Sequence, residues 1–145
     1  MTIIKVTLDQ LEDLVPLFDG YRVFYKEPSD YERARMFLKE RISNNESTIF
    51  IAYLDNKAVG FIQLYPIFSS VSTQPMLLLN DLYVDINFRS RGVGKALIDA
   101  AKELCREQQY KGLSLETAKD NPAQYLYERE GFSQDGYLHY FWPNS

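Results

Sequence analysis

The residues best equipped for chemistry lie in one basic, glycine-bearing turn, Arg89-Ser90-Arg91-Gly92-Val93-Gly94-Lys95. Before it runs an apolar stretch, Met76 to Val84, with the length and composition of a buried strand and a single polar pair, Asn80-Asp81. A polar turn, Asp85-Ile86-Asn87, follows the stretch. From Val93 onward, Val93, Ala96, Leu97, Ala100, Ala101, Leu104 and Cys105 recur at helical spacing. Strand, turn and helix in that order make an anion site out of main chain. The first N–H groups of a helix have no intrahelical partner, and the dipole adds roughly half a positive charge at that end. Gly92 and Gly94 carry no Cβ to block an approaching phosphate, while Arg89, Arg91 and Lys95 add charge. The chemistry implied is the binding of a pyrophosphate.

Two common pyrophosphate motifs do not fit. A P-loop needs Gly-x-x-x-x-Gly-Lys-Ser/Thr, but Arg89 holds the first Gly position and Ala96 follows Lys95. The dinucleotide fingerprint needs a third Gly or Ala three residues after Gly94, where the chain has Leu97. The stretch Arg89 to Gly94 instead resembles the Gln/Arg-x-x-Gly-x-Gly/Ala signature of the GNAT (GCN5-related) N-acetyltransferases, preceded as usual by a strand ending in Leu-Tyr-Val. A second stretch, Asn121 to Phe132, resembles the family's Asn-x-x-Ala-x-x-Leu-Tyr-x-x-x-Gly-Phe signature. There Ala123 stands one residue early, while Leu126, Tyr127, Gly131 and Phe132 align. A finer likeness, in Phe61 to Pro66, Phe68-Ser69-Ser70 and Leu79 to Leu82, points to an Hpa2-like subgroup with diamine and thialysine acetyltransferases. In the diamine enzymes a Glu typically stands where this chain has Asn80, so polyamine specificity does not carry over.

The resemblance implies acetyl-CoA as co-substrate and no metal. It places the pyrophosphate on the amides of Arg91 to Lys95, among the cofactor-binding candidates Arg89, Ser90, Arg91, Gly92, Val93, Gly94 and Lys95. The pantetheine arm would follow the backbone of Leu82, Tyr83 and Val84, in a gap between the fourth and fifth strands, with the Leu82 N–H as oxyanion donor. Tyr127 takes the general-acid position beside the sulfur; the rival reading is a packed Tyr on an amphipathic helix. Asn121 could cap its helix, touch the cofactor, or both. Asp81 could hold the substrate cation or take a proton through water, unless it is a structural carboxylate; Glu116 is the runner-up. Tyr21, Phe24 and Tyr25 could wall the amine pocket, since aromatic faces attract cations, or simply pack. Asn80, the residue before Asp81, is a further substrate-binding candidate, and Ser69 and Ser70 fall in a loop that could cap the acceptor site or be an ordinary turn. Tyr125, His139 and Cys105 read as structural.

These residues need a scaffold to hold them. At 145 residues the chain is expected to form one domain, with an ordinary soluble balance of 46% hydrophobic and 25% charged residues. A net charge of −4 argues against nucleic acid and suits a small cationic amine as the acceptor. One Cys and one His disfavour disulfides and a Cys- or His-rich metal site. No signal peptide or membrane-length apolar run is seen, so a cytoplasmic location is expected, with no membrane partner.

Thr7 with Gln10 predicts a capping box opening a helix that Gly20 would stop. Ser29 with Glu32 predicts a second, to about Ile42. Strands are expected over Thr2 to Val6, Thr48 to Leu54, Ala58 to Phe68 and Leu113 to Thr117, with a short helix from Ala123 to Glu130. Asn121 would be its N-cap and Pro122 its first helical residue. The tail, Phe132 to Trp142, reads as strand-like and could close a homodimer or pack on the sheet. The order βααββ–βαβα–ββ predicts an α/β (α+β) fold, a mixed, mostly antiparallel sheet of about seven strands flanked by about four helices.

Overall fold

A computed structural model describes residues 1–144 of the chain. Its sheet has five strands in the order β1 (Thr2–Lys5), β2 (Thr48–Leu54), β3 (Lys57–Ser69), β4 (Gln74–Val84) and β5 (Leu113–Ser114). The first four are antiparallel neighbours; β5 joins β4 in parallel. Four helices complete it: α1 (Leu11–Phe24), α2 (Tyr31–Ser43), α3 (Val93–Glu107) and α4 (Ala123–Arg129). Parallel strands need a long crossover, and α3 supplies it between β4 and β5.

Two cores lie on opposite faces of the sheet. Leu14, Val15 and Phe18 of α1 and Ala34 and Leu38 of α2 pack on Ile49, Ile51 and Phe61. Val93, Leu97, Ile98 and Ala101 of α3 pack on Val59, Ile62, Leu64, Leu77 and Leu79. Of the helical spacing read from α3, Val93, Leu97, Ala101 and Cys105 are buried while Ala96, Ala100 and Leu104 are half-buried, and Ile98, outside that spacing, is buried too. Each fully buried Leu or Ile contributes about 1.5–3 kcal/mol.

Several expectations change. The sheet has five strands rather than about seven among the described residues, because β5 stops at Ser114 and the tail from Phe132 to Trp142 forms no strand. In that tail Tyr137, Leu138, Tyr140, Phe141 and Trp142 are each at least 78% exposed. Nor does Gly20 end the first helix. The Thr7–Gln10 capping box opens a single 3-10 turn, Leu8–Gln10, and α1 then runs through Gly20 to Phe24. Gly20 serves a close approach instead: a Cβ there would lie 2.7 Å from the Tyr83 hydroxyl. In the second helix Asp30, not Ser29, caps, its side chain accepting from the Arg33 N–H at 3.0 Å. Ser29 Oγ donates to Asp19 at 2.7 Å, which also accepts from the Asp30 N–H at 2.7 Å. This buried carboxylate ties the end of α1 to the start of α2. Among the described residues no helix is long and apolar enough to cross a membrane.

Candidate active site

The site forms where β4 parts from β5. The two strands pair at Leu77–Leu113 and Leu78–Ser114, so among the described residues Leu82, Tyr83 and Val84 have β3 on one side and no strand on the other. Between these segments β4 carries a bulge. Gln63 pairs with Asp81 and Leu64 with Leu79, leaving Asn80 without an opposite residue. An extra residue shifts the alternation of side chains by one. Leu77 and Leu79 belong to the core beneath α3, and so do Leu82 and Val84, while Tyr83 packs on the opposite core. Asp81 is thereby turned to the α1 side.

There Asp81 is 3% exposed. Its Oδ2 accepts from Gln63 Nε2, and its Oδ1 accepts from Asn80 Nδ2 at 2.7 Å. Tyr21 lies against it and donates its hydroxyl to the Asn80 carbonyl at 3.3 Å. Burial pushes the Asp81 carboxyl above the usual carboxylate range, and hydrogen bonds from Gln63, Asn80 and Tyr21 pull it back only in part. None of these three partners is cationic. Burial first, and then the Asp81 carboxylate, hold the Tyr21 hydroxyl protonated.

Tyr21 packs edge-on against Tyr25 at 5.0 Å and against Phe61 at 5.9 Å, and Tyr25 meets Phe24 at 5.2 Å. Tyr127 approaches from α4: burial first, then the neighbouring Tyr25, raise its hydroxyl to about 12. Tyr127 also influences Tyr21. So Tyr21, Tyr25, Asn80, Asp81 and Tyr127, far apart in sequence, converge on one place. Phe24 stands at its rim, 51% exposed. Ser69 and Ser70 are not brought to it by any recorded contact; Ser69 Oγ accepts from the Ser72 N–H at 3.2 Å in the β3–β4 turn.

The basic turn is built as a cradle. Ser90 (φ 63°) and Gly92 (φ 79°) are both left-handed, and nothing lies within 4 Å of where a Gly92 Cβ would be. The first recorded bond of α3 runs from the Ala96 N–H to the Gly92 carbonyl at 3.0 Å, so the Val93, Gly94 and Lys95 amides precede the ladder. Arg89 Nε donates to the Val84 carbonyl at 3.0 Å, tying the turn to the end of β4. Arg91 stacks over Phe88 at 5.4 Å. The Lys95 ammonium pairs with Asp99 at 2.8 Å and Glu130 at 3.6 Å, so toward an anion Lys95 presents its backbone amide. An open, left-handed, unpartnered helix start of this kind fits a pyrophosphate.

Helix α4 is fixed to α3. Lys102 Nζ donates to the Glu130 carbonyl and lies 3.4 Å from its carboxylate, while a Gly94 Cβ would meet Leu126 at 3.0 Å. Asn121 caps the first turn of α4, its Oδ1 accepting from the Ala123 N–H at 2.9 Å, although Pro122 holds the N-cap position. Tyr127 packs on Phe132 at 5.9 Å. Tyr125, expected to be structural, is 63% exposed. Glu116 lies apart from Asp81 and pairs with His139 of the tail at 2.9 Å.

Two residues at the site were missed in the sequence. Gln63 reads there as one polar letter in an apolar strand, yet it is fully buried against Asp81. Tyr65, two residues on, is raised to about 12 by burial and then by Asp81. The period-two alternation of β3 was the available signal, since Phe61, Gln63 and Tyr65 share a face.

The model of the acetyltransferase (GNAT) family matches residues 11–132, and the chain belongs to that family. It is an acyltransferase. An uncharacterized N-acetyltransferase, YhfO, of Bacillus subtilis (strain 168) is 44% identical over 129 residues, covering 88% of this chain and 87% of the relative. The crystal structure of a probable acetyltransferase, 40% identical, superposes with a TM-score of 0.95 over 100% of this chain and 99% of that one. An aminoglycoside N-acetyltransferase, AAC(6')-Iy, solved in complex with CoA, shares the fold at 20% identity with a TM-score of 0.83 over 99% of this chain and 95% of that one.

Proposed function

We propose that the protein is one catalytic domain that transfers an acetyl group from acetyl-CoA directly to a small cationic primary amine, both substrates being bound together. The observation that carries this reading is Asp81, a buried carboxylate whose partners Gln63, Asn80 and Tyr21 are all uncharged. A buried charge without a counter-ion is costly, and an ammonium substrate supplies one between the Tyr21 and Tyr25 faces. Asp81 attracts the amine as its cation and then draws off a proton, directly or through water, to leave the neutral nucleophile. The open edge of β4 at Leu82, Tyr83 and Val84 is suited to pantetheine, and the Leu82 N–H to the developing oxyanion, where one such donor is worth on the order of a hundredfold. The Val93, Gly94 and Lys95 amides, with Arg89, Ser90, Arg91 and Gly92, hold the pyrophosphate. Tyr127, still protonated near neutrality, donates to the departing thiolate, and Asn121 sets the start of its helix.

The net charge of −4 and the aromatic faces of Tyr21 and Tyr25 support a small cationic acceptor. The exposed aromatic tail, Tyr137 to Trp142, supports a homodimer in which a second copy covers it. Release of free thiol from acetyl-CoA across spermidine, thialysine, lysine, an aminoglycoside and a basic peptide tests the reading. Turnover confined to one of the small amines is expected; turnover of the peptide alone would move the assignment to a protein acetyltransferase.

A further inference from the structure

Gln63 is fully buried in β3 between Ile62 and Leu64, which are fully buried too. A primary amide in such a place costs about 1–3 kcal/mol unless its hydrogen bonds are made, and an aliphatic residue would serve the core better. Its bonds are made to two groups. Ser47 Oγ, just before β2, donates to Gln63 Oε1 at 2.8 Å, and Gln63 Nε2 donates to Asp81 Oδ2. The hydroxyl decides which way the amide faces: with Oε1 held by Ser47, the NH₂ group is presented to the carboxylate. Asn80 holds the other oxygen, Oδ1, from the bulge. The carboxylate plane is thus set from both sides, by groups from β3 and from β4.

We propose that Gln63, oriented by Ser47, is a positioning residue that aims the Asp81 carboxylate at the amine pocket and keeps it ionised. This rests on the reading of Asp81 as the amine-facing carboxylate. A neutral donor favours the charged form of a buried acid. The groups that face Asp81 are few: Tyr21 of α1, flanked by Tyr25, and Tyr65 of β3, itself under the influence of Arg41 and Glu46. Tyr127 of α4 acts on Tyr21 from the far side. None of these supplies a cation to Asp81, so the two amides, with the Tyr21 hydroxyl, carry the task, Gln63 foremost. Without Gln63 the carboxyl would hold its proton to higher pH and turn more freely.

The test is a carbon-13 titration of the Asp81 carboxyl in the whole protein, with Asp81→Asn identifying the resonance. The near-isosteric Gln63→Met is expected to raise the midpoint by about one unit, a tenfold change in the ionised fraction below it. Ser47→Ala is expected to raise it in the same direction by less, and it carries the test if Gln63→Met does not fold. With the best amine of the panel, Gln63→Met should lower kcat/KM about tenfold at acid pH and recover as pH rises, with acetyl-CoA affinity unchanged. An unmoved midpoint in both variants overturns the positioning role, whatever the activity. A raised midpoint in a protein that turns over no amine of the panel supports the positioning role and overturns the small-amine acceptor instead.

Discussion

Leu79 and Asp81 stand two residues apart on β4 yet serve opposite faces of the sheet. Leu79 lies in the core beneath α3, and Asp81 meets Gln63 and Tyr21 on the side of α1. A regular strand would put both on one face. Asn80, with no residue opposite, makes the difference. The same shift that delivers a carboxylate to the amine pocket leaves Leu82 and Val84 on the α3 side, next to the open edge of β4.

Asp81 should weaken the fold that carries it. Its folded carboxyl binds a proton more tightly than the ordinary value of 3.8. Stability is therefore lost as pH rises from about that value through the folded midpoint, because the native state gives up its proton later than the unfolded chain. Asp81→Asn has no such loss. Its new NH₂ faces the NH₂ of Gln63 or Asn80, so the signature is the pH dependence: its melting temperature is expected to stay level over that window while the wild type's falls, and kcat/KM for the amine falls at least about a hundredfold. Calorimetry across pH checks the first part and initial rates the second.

Much of this was legible in the sequence, for identifiable reasons. The cradle at Gly92 and the apolar stripe of α3 are local, set by glycine and helical periodicity. The bulge at Asn80 was not legible, because register belongs to two strands and nothing in one of them marks it. Gly20 misled for a related reason: its use is a contact with Tyr83, distant in sequence, not a helix end. The tail from Tyr137 to Trp142 has strand-forming residues and a side-chain contact from His139 to Glu116, but no strand beside it among the described residues, so propensity alone did not make it a strand.

Gly92 and Gly94 should fail differently. Gly92→Ala meets no atom but must hold φ near 79°, at a cost of roughly 1–2 kcal/mol, and its methyl enters the anion cradle. Acetyl-CoA affinity is expected to fall about tenfold by calorimetry, more than stability alone accounts for. Gly94→Ala meets Leu126 at 3.0 Å and presses on α4. Here kcat should fall about tenfold through a displaced Tyr127, with affinity held within about threefold.

Asp19 holds the connector behind the aromatic wall. Asp19→Ala removes the charged acceptor of the Ser29 hydroxyl and the Asp30 N–H, both bound at 2.7 Å. A loss of about 1–3 kcal/mol in urea unfolding is expected. KM for the amine should rise with it, since Tyr21 and Tyr25 sit on the same end of α1, while acetyl-CoA binding is unaffected.

The most direct test of acetyl transfer at this site compares wild-type and Tyr127→Phe protein, side by side, for thiol release with the best amine and for acetyl-CoA affinity. The substitution keeps the ring against Phe132 and removes only the hydroxyl. Turnover is expected to drop about a hundredfold or more, with the dissociation constant for acetyl-CoA within about twofold. Equal turnover in the two proteins would contradict the assignment of Tyr127 as the acid.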